Sequence, residues 1–136
     1  MQAYDLEQFF QALGDDTRLR LLNLMGDREV CVCYFVQILG GPQSKISRHL
    51  AYLRKAGLVQ ARRDGKWMHY RIVTPPHRGA AHTLRQTLAW LRDETQMQAD
   101  RVQFRKSCCS PADNPLLDRA PIPKPHRATH EPHMAR

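Results

Sequence analysis

PQSKISRHLAYLRKAGLVQARRDGKWMHYRIV, residues 42–73, decides the fold. Pro42 suits the first turn of a helix, where its missing N–H would be unbonded anyway, and Gly57 suits the helix end. Between them Ile46, Leu50 and Leu53 recur at helical spacing and form one apolar stripe. The outward side is left to Gln43, Ser44, Lys45, Ser47, Arg48 and His49. Beyond Gly57, the runs Leu58 to Arg63 and Lys66 to Val73 are rich in strand formers and flank Asp64-Gly65, a strong hairpin signal.

Upstream, Leu6, Phe9, Phe10 and Leu13 share one helical face. Asp15 or Asp16 caps a second helix carrying Leu19, Leu22 and Met25, which Gly26 stops. The apolar run Val30 to Val36 reads as a buried helix or strand, between which periodicity does not decide, and Gly40-Gly41 closes the segment. Downstream, Pro75-Pro76 breaks the chain, and a long helix is expected from about His77 to about Arg105, with Leu84, Leu88 and Leu91 on one face. The order helix, helix, helix, helix, hairpin, helix is that of a winged helix-turn-helix, mainly α with a small β-hairpin. The helix at residues 42–57 is then the one that enters a DNA major groove. Residues 1–106 form this domain. Residues 107–136 hold six of the nine prolines and no aromatic residue, a composition expected to stay a disordered tail.

Charge supports a polyanionic partner. Of the net charge of +8, residues 45–71 alone carry +7, with eight basic side chains against Asp64. Lys45 and Arg48 lie on the reader, and Arg62, Arg63 and Lys66 at the hairpin tip would hold phosphate or minor groove. The longest apolar run has seven residues, which excludes a membrane-spanning helix. The N-terminus carries Asp5 and Glu7 rather than a basic-then-apolar leader, so a cytoplasmic protein with reduced cysteines is expected.

Those thiols are the remaining chemistry. Cys31-Val32-Cys33 stands near the start of the first helix of the helix-turn-helix, where a helix N-terminus favours thiolate. Residues i and i+2 of a regular helix diverge, so both thiols can hold one ion only where the helix is not yet regular. Cysteine is also a frequent core residue, and burial alone would account for the run. Cys108 and Cys109 are the other two cysteines. Three thiolates suit trivalent arsenic or antimony, four suit zinc or cadmium, and two suit a monomethylated arsenical. His77 and His82 lack ligand-spaced partners, and His126, His130 and His133 fall in the proline-rich tail. An enzymatic role has no support: neither Cys31 nor Cys33 is followed at the sixth position by an arginine, Gln37 and Leu39 standing there, and no acid–base constellation stands out.

The segment Gln43 to Val59, with Leu13-Gly14-Asp15-Asp16-Thr17-Arg18-Leu19-Arg20 and Arg62-Arg63-Asp64-Gly65-Lys66-Trp67, resembles the ArsR/SmtB metalloregulatory repressors over roughly residues 5–95. The resemblance implies a homodimer that represses transcription from an inverted-repeat operator in double-stranded DNA until an inducer releases it. The resemblance also implies that DNA binding requires no cofactor. The first and last helices would form the dimer, with Leu84, Leu88 and Leu91 in the interface. The arsenic, antimony and cadmium/lead branches carry Cys-Val-Cys at this place, which implies a metal site at Cys31 and Cys33 with As(III) or Sb(III) as inducer; Cys108 and Cys109, the other two cysteines, are the candidates for further ligands of that site, from the same chain or from the partner copy. Tyr34 and Val36 stand where arsenic-sensing members often have an acidic residue and a third cysteine. The alternatives are a cadmium-, lead- or zinc-responsive repressor of the same fold and a thiol redox sensor.

Overall fold

The computed structural model describes residues 4–109, 117 and 119–125. Helix α1 (Leu6–Leu13) is capped by Asp5, whose carboxylate accepts from the Gln8 N–H. Helix α2 (Asp16–Met25) is capped by Asp15, which accepts from Arg18 N–H at 3.1 Å and so takes the role that two aspartates had contended for. The ambiguous apolar run is both things in turn: strand β1 (Arg28–Cys31) continues directly into helix α3 (Val32–Leu39). Helix α4 (Gln43–Lys55) follows after Gly40 and Gly41, both at positive φ. It ends as expected: Gly57 at φ 80° lets Leu58 N–H return to Leu53 O and Gly57 N–H to Arg54 O, a Schellman closure.

Strands β2 (Val59–Asp64) and β3 (Trp67–Ile72) form the wing, paired from Val59↔Ile72 to Asp64↔Trp67. The loop is thus Gly65-Lys66, one residue later than the Asp64-Gly65 signal. Only Gly65 has positive φ, the order a type II′ turn requires. Strand β1 pairs antiparallel with β3, setting Val30 opposite Tyr70 and Cys31 opposite His69.

The long terminal helix is two helices, α5 (Arg78–Leu91) and α6 (Thr95–Cys109). Asp93 and Glu94 N–H turn back on the Trp90 and Leu91 carbonyls, and the Arg92 carbonyl accepts from Gln98 Nε2 and Arg101 Nη2 instead of from backbone. Side chains of α6 thereby satisfy the end of α5, and α6 packs on α2 and α3. Arg20 holds the buried Asp100 in a bidentate pair at 2.7 and 2.9 Å, and Asn23 bridges the Met97 carbonyl and Arg101.

Within one chain Leu84 and Leu91 are buried and Leu88 packs half-buried against the core. The large apolar side chains exposed on α1 and α5 are Leu6, Phe10 and Trp90. Among the described residues of 107–136, α6 runs to Cys109, Leu117 is fully buried, and strand β4 (Lys124–Pro125) pairs with Arg28 and Glu29, making the sheet order β2-β3-β1-β4. The edge of β1 offers unpaired backbone groups that even a proline-rich segment can satisfy from one side. His126, His130 and His133 lie outside the described residues.

Candidate thiol site and nucleic-acid interface

Helix α4 stands on Ile46, Leu50 and Leu53, each essentially inaccessible, which turns Gln43, Ser44, Lys45, Ser47 and Arg48 to the surface. Burying three such side chains contributes on the order of 2 kcal/mol each, so the orientation of the outer face is set by packing. His49 is different. Its ring is half-buried and its Nδ1 accepts from Arg18 Nη1 at 3.2 Å, with Asp15 Oδ1 3.8 Å away. Arg18 also donates to the Gln11 and Ala12 carbonyls and stacks 4.3 Å over Tyr52. His49 is therefore part of a strut joining α1, α2 and α4, turned away from the outer face on which it was expected.

At the wing, Arg63 and Lys66 are exposed. Arg62 is not free to roam: its Nη2 donates to Glu29 Oε1 at 2.6 Å and its Nε lies 3.1 and 3.2 Å from the two carboxylate oxygens. The pair holds the Glu29 carboxyl below the usual carboxylate range.

The thiols meet where β1 becomes α3. Cys31 is extended (φ −69°, ψ 142°) and occupies the N-cap, so the helix is not yet regular and the Cys33 Sγ donates to Cys31 Sγ across 3.0 Å. That thiol donor, together with the backbone N–H groups of Cys33, Met68 and Val32, overcomes burial and brings the Cys31 thiol down to about 7. The proton retained between the two sulfurs pushes Cys33 above the usual thiol range. Across β3, His69 sits opposite both Cys31 and Arg62, buried, its Nε2 without a partner among the described residues, and burial holds it below the usual imidazole range.

Cys108 is half-buried against the same core, on the helix that packs on α3, with Arg28 and Tyr34 in its electrostatic reach. Among the described residues, however, no three Cys, His, Asp or Glu side chains converge closely enough to hold one ion, so Cys108 does not join Cys31 and Cys33 in this conformation. The Cys109 side chain lies outside the described atoms. His77, weighed as a ligand, instead caps α5 by accepting from the Gly79 and Ala80 N–H groups. Sequence reading assigned no role to Tyr34, His69, Glu29 or Arg18. The alternation of β1 against β3 carried the signal for Glu29 and His69, but only once the strand was known.

A family model described as bacterial regulatory protein, arsR family, matches residues 15–61, from the α2 cap into the wing. The Escherichia coli arsenical resistance operon repressor is 39% identical over 104 residues, covering 76% of this chain and 87% of that protein. The chain belongs to the ArsR family. This ArsR-family protein is a winged helix-turn-helix transcriptional repressor that acts on DNA and is not an enzyme. It is also 40% identical over 89 residues to the Pseudomonas putida arsenic resistance transcriptional regulator ArsR2, covering 62% of this chain and 77% of that one. Among solved structures it is similar to reduced HlyU from Vibrio cholerae, at TM-score 0.54 and 26% identity, over 65% of this chain and 88% of that one. No helix among its described residues is long and apolar enough to cross a membrane.

Proposed function

We propose that this regulator is an arsenic-responsive repressor of the cytoplasm. It binds an inverted-repeat operator as a homodimer and needs no cofactor to do so. Gln43, Ser44, Lys45, Ser47 and Arg48 face the major groove, with Arg63 and Lys66 on flanking phosphate. Leu6, Phe10 and Trp90, exposed on the first and fifth helices, are the apolar surface for the second copy. The observation that carries the inducer reading is the 3.0 Å Cys31–Cys33 contact at the joint between wing sheet and helix-turn-helix. Arsenous acid gives up two hydroxyls, each leaving as water with one thiol proton, and two As–S bonds form with arsenic trivalent throughout.

An ion spanning those sulfurs acts on both arms of the reader. One arm is α3, which leads through Gly40-Gly41 into α4; the other is β1, which pairs with the wing. Linkage then requires the ion to prefer the DNA-free shape, and a coupling of about 1–3 kcal/mol lowers DNA affinity roughly 5- to 150-fold. Antimonite shares this chemistry. A second reading, a cadmium- or zinc-responsive repressor, draws support from the half-buried Cys108 beside the same core. A tetrahedral ion would enlist Cys108 and Cys109 by drawing in the end of α6.

Fluorescence anisotropy of a labelled inverted-repeat promoter fragment tests this. Arsenite should release the reduced protein, and Cys31→Ser or Cys33→Ser should bind DNA but not respond. Release by cadmium and zinc alone would favour the second reading. Release by peroxide in metal-free buffer, reversed by a reductant, would make the pair a redox switch. DNA binding that no ion disturbs would sink the sensor reading.

A further inference from the structure

Arg18 ties α2, where it stands, to both α1 and α4. Its Nε donates to the Ala12 carbonyl at 3.0 Å and its Nη2 to the Gln11 carbonyl at 2.7 Å. Both oxygens belong to the last turn of α1, where helical donors run out and a cation meets the negative end of the helix dipole. On its other side, Nη1 meets His49 Nδ1 at 3.2 Å, and the guanidinium lies 4.3 Å over the Tyr52 ring. A second bridge runs alongside. Tyr52 Oη donates to Gln11 Oε1 at 2.9 Å, while Gln11 Nε2 reaches Glu7 Oε2 at 3.5 Å.

Apolar packing does not close this junction. Glu7, Phe10, Gln11, Gly14, Arg18 and Tyr52 line an open hollow between α1 and α4. The stripe of Ile46, Leu50 and Leu53 seats α4 on the core, but His49 and Tyr52 lie three residues apart on another flank of that helix. The polar bridges are therefore what fix how α4 leans towards α1. Helix α1 is also the one that presents Leu6 and Phe10, one turn apart, to solvent.

We propose that Arg18, seconded by the Tyr52–Gln11 hydrogen bond, is the positioning residue that sets the distance and angle between the two reader helices of the dimer, and with them the half-site spacing the operator must have. This rests on the homodimer reading, in which Leu6 and Phe10 of α1 meet the second copy. In a symmetric dimer the path from one reader to the other crosses the strut of each copy, so a change in the lean of α4 enters twice. One base pair added between the half-sites moves them about 3.4 Å apart and turns them by about 35°. A stiff strut makes that displacement costly, whereas a loose one absorbs it. Lysine at position 18 would keep the charge but would lack both the planar fork and the stacking face.

The test compares wild type with Arg18→Lys and Tyr52→Phe; the latter removes one oxygen from the junction and leaves the core alone, so it decides by itself if Arg18→Lys fails to fold. Fluorescence anisotropy follows binding to inverted-repeat promoter fragments shortened or lengthened at their centre by one or two base pairs, and to a fragment with a single half-site. Sedimentation and melting curves report assembly and fold. Wild type should sediment as a dimer and prefer one spacing over its neighbours by about ten-fold. That preference should shrink in both variants, by about five-fold in Tyr52→Phe, the worth of one hydrogen bond. Single half-site binding should stay within about two-fold of wild type, with the dimer intact. Wild-type spacing profiles in the variants, or equal losses on every fragment including the single half-site, would overturn the assignment while leaving the dimer reading standing. A monomeric wild type, or one indifferent to spacing, would overturn both.

Discussion

Arg62 of the wing grips Glu29 of β1 through both its Nε and its Nη2, and Glu29 lies two residues before Cys31. Alternation along a strand puts Glu29 and Cys31 on one face of the sheet. On the proposed function, a shift of β1 at the thiols would therefore reach the hairpin through Arg62. Glu29→Gln should leave arsenite binding within about two-fold, since it touches no thiol, but should weaken the coupling between arsenite and operator by about 1 kcal/mol, or five-fold. A thermodynamic cycle of operator affinities with and without arsenite measures this, and an unchanged coupling would assign the whole signal to α3. The pair's own stabilising effect is present above the unfolded glutamate value of about 4.3 and is lost as pH falls through the lower folded value. Because the Arg62 side chain is half exposed, salt should weaken the pair as well.

The thiol pair should titrate as a unit. Its first proton leaves at about 7, because Cys33 and three backbone N–H groups stabilise the Cys31 thiolate. Thiolate absorbance followed against pH should show one equivalent per chain appearing near neutrality. In Cys33→Ala the largest of those stabilising groups is gone, and the midpoint should move up toward or beyond an ordinary thiol value of about 8.5. The sign for stability follows from the same shift: a thiol whose folded value is depressed stabilises the fold above its unfolded value, and that contribution fades as pH drops through 7. An identical midpoint in Cys33→Ala would show that the backbone N–H groups suffice alone.

The reader helix and hairpin were legible because each of their signals is local: the Ile46, Leu50 and Leu53 stripe, the left-handed Gly57, and the glycine at the hairpin tip. The thiol pair's geometry was half legible. Spacing required Cys31 to stand outside regular helix, but the strand that meets this condition depends on pairing with β3, some forty residues away. The break between α5 and α6 was hidden because no proline or glycine marks it; there Asp93 and Glu94 N–H turn back on the Trp90 and Leu91 carbonyls, and Gln98 and Arg101 side chains return to the Arg92 carbonyl. The same holds for His49, whose outward position on a helical wheel is overridden by Arg18, a residue of another helix. Leu117 and the β4 pairing were obscured by composition, since proline content argues against a core but not against a few residues filling one edge.

Asp100 anchors α6 to α2 and should be costly to remove. It is 3% exposed and receives two hydrogen bonds from Arg20 and a third from Gln96. Asp100→Ala leaves the Arg20 guanidinium partly buried and unpaired, a loss of about 3 kcal/mol. Denaturant unfolding should show this as a lower midpoint. An exposed control on the same helix, Gln103→Ala, should change stability by less than about 0.5 kcal/mol. Equal effects would mean that α6 is held by its apolar contacts alone.

The two residues Arg48 and His49 are neighbours in sequence and should separate cleanly in experiment. Arg48 is exposed on the outer face of α4, whereas His49 is tied to Arg18 and Asp15. Arg48→Ala should weaken operator binding by about 1–3 kcal/mol if it reads a base, while leaving thermal stability untouched. His49→Ala should instead lower stability by about 1 kcal/mol through the lost Arg18 hydrogen bond and packing. Its effect on DNA should be smaller and should reflect only a loosened α4. Burial holds the imidazole below its usual value, so the strut contains neutral His49. Acidification that protonates the ring turns the Arg18 contact from attraction to repulsion, and the His49-dependent part of stability should disappear as pH falls through the unfolded histidine value of about 6.5 toward the lower folded one. Melting curves of wild type and His49→Ala across that range, converging at low pH, are the expected result. Parallel curves would mean that His49 is held by packing and not by its acceptor nitrogen.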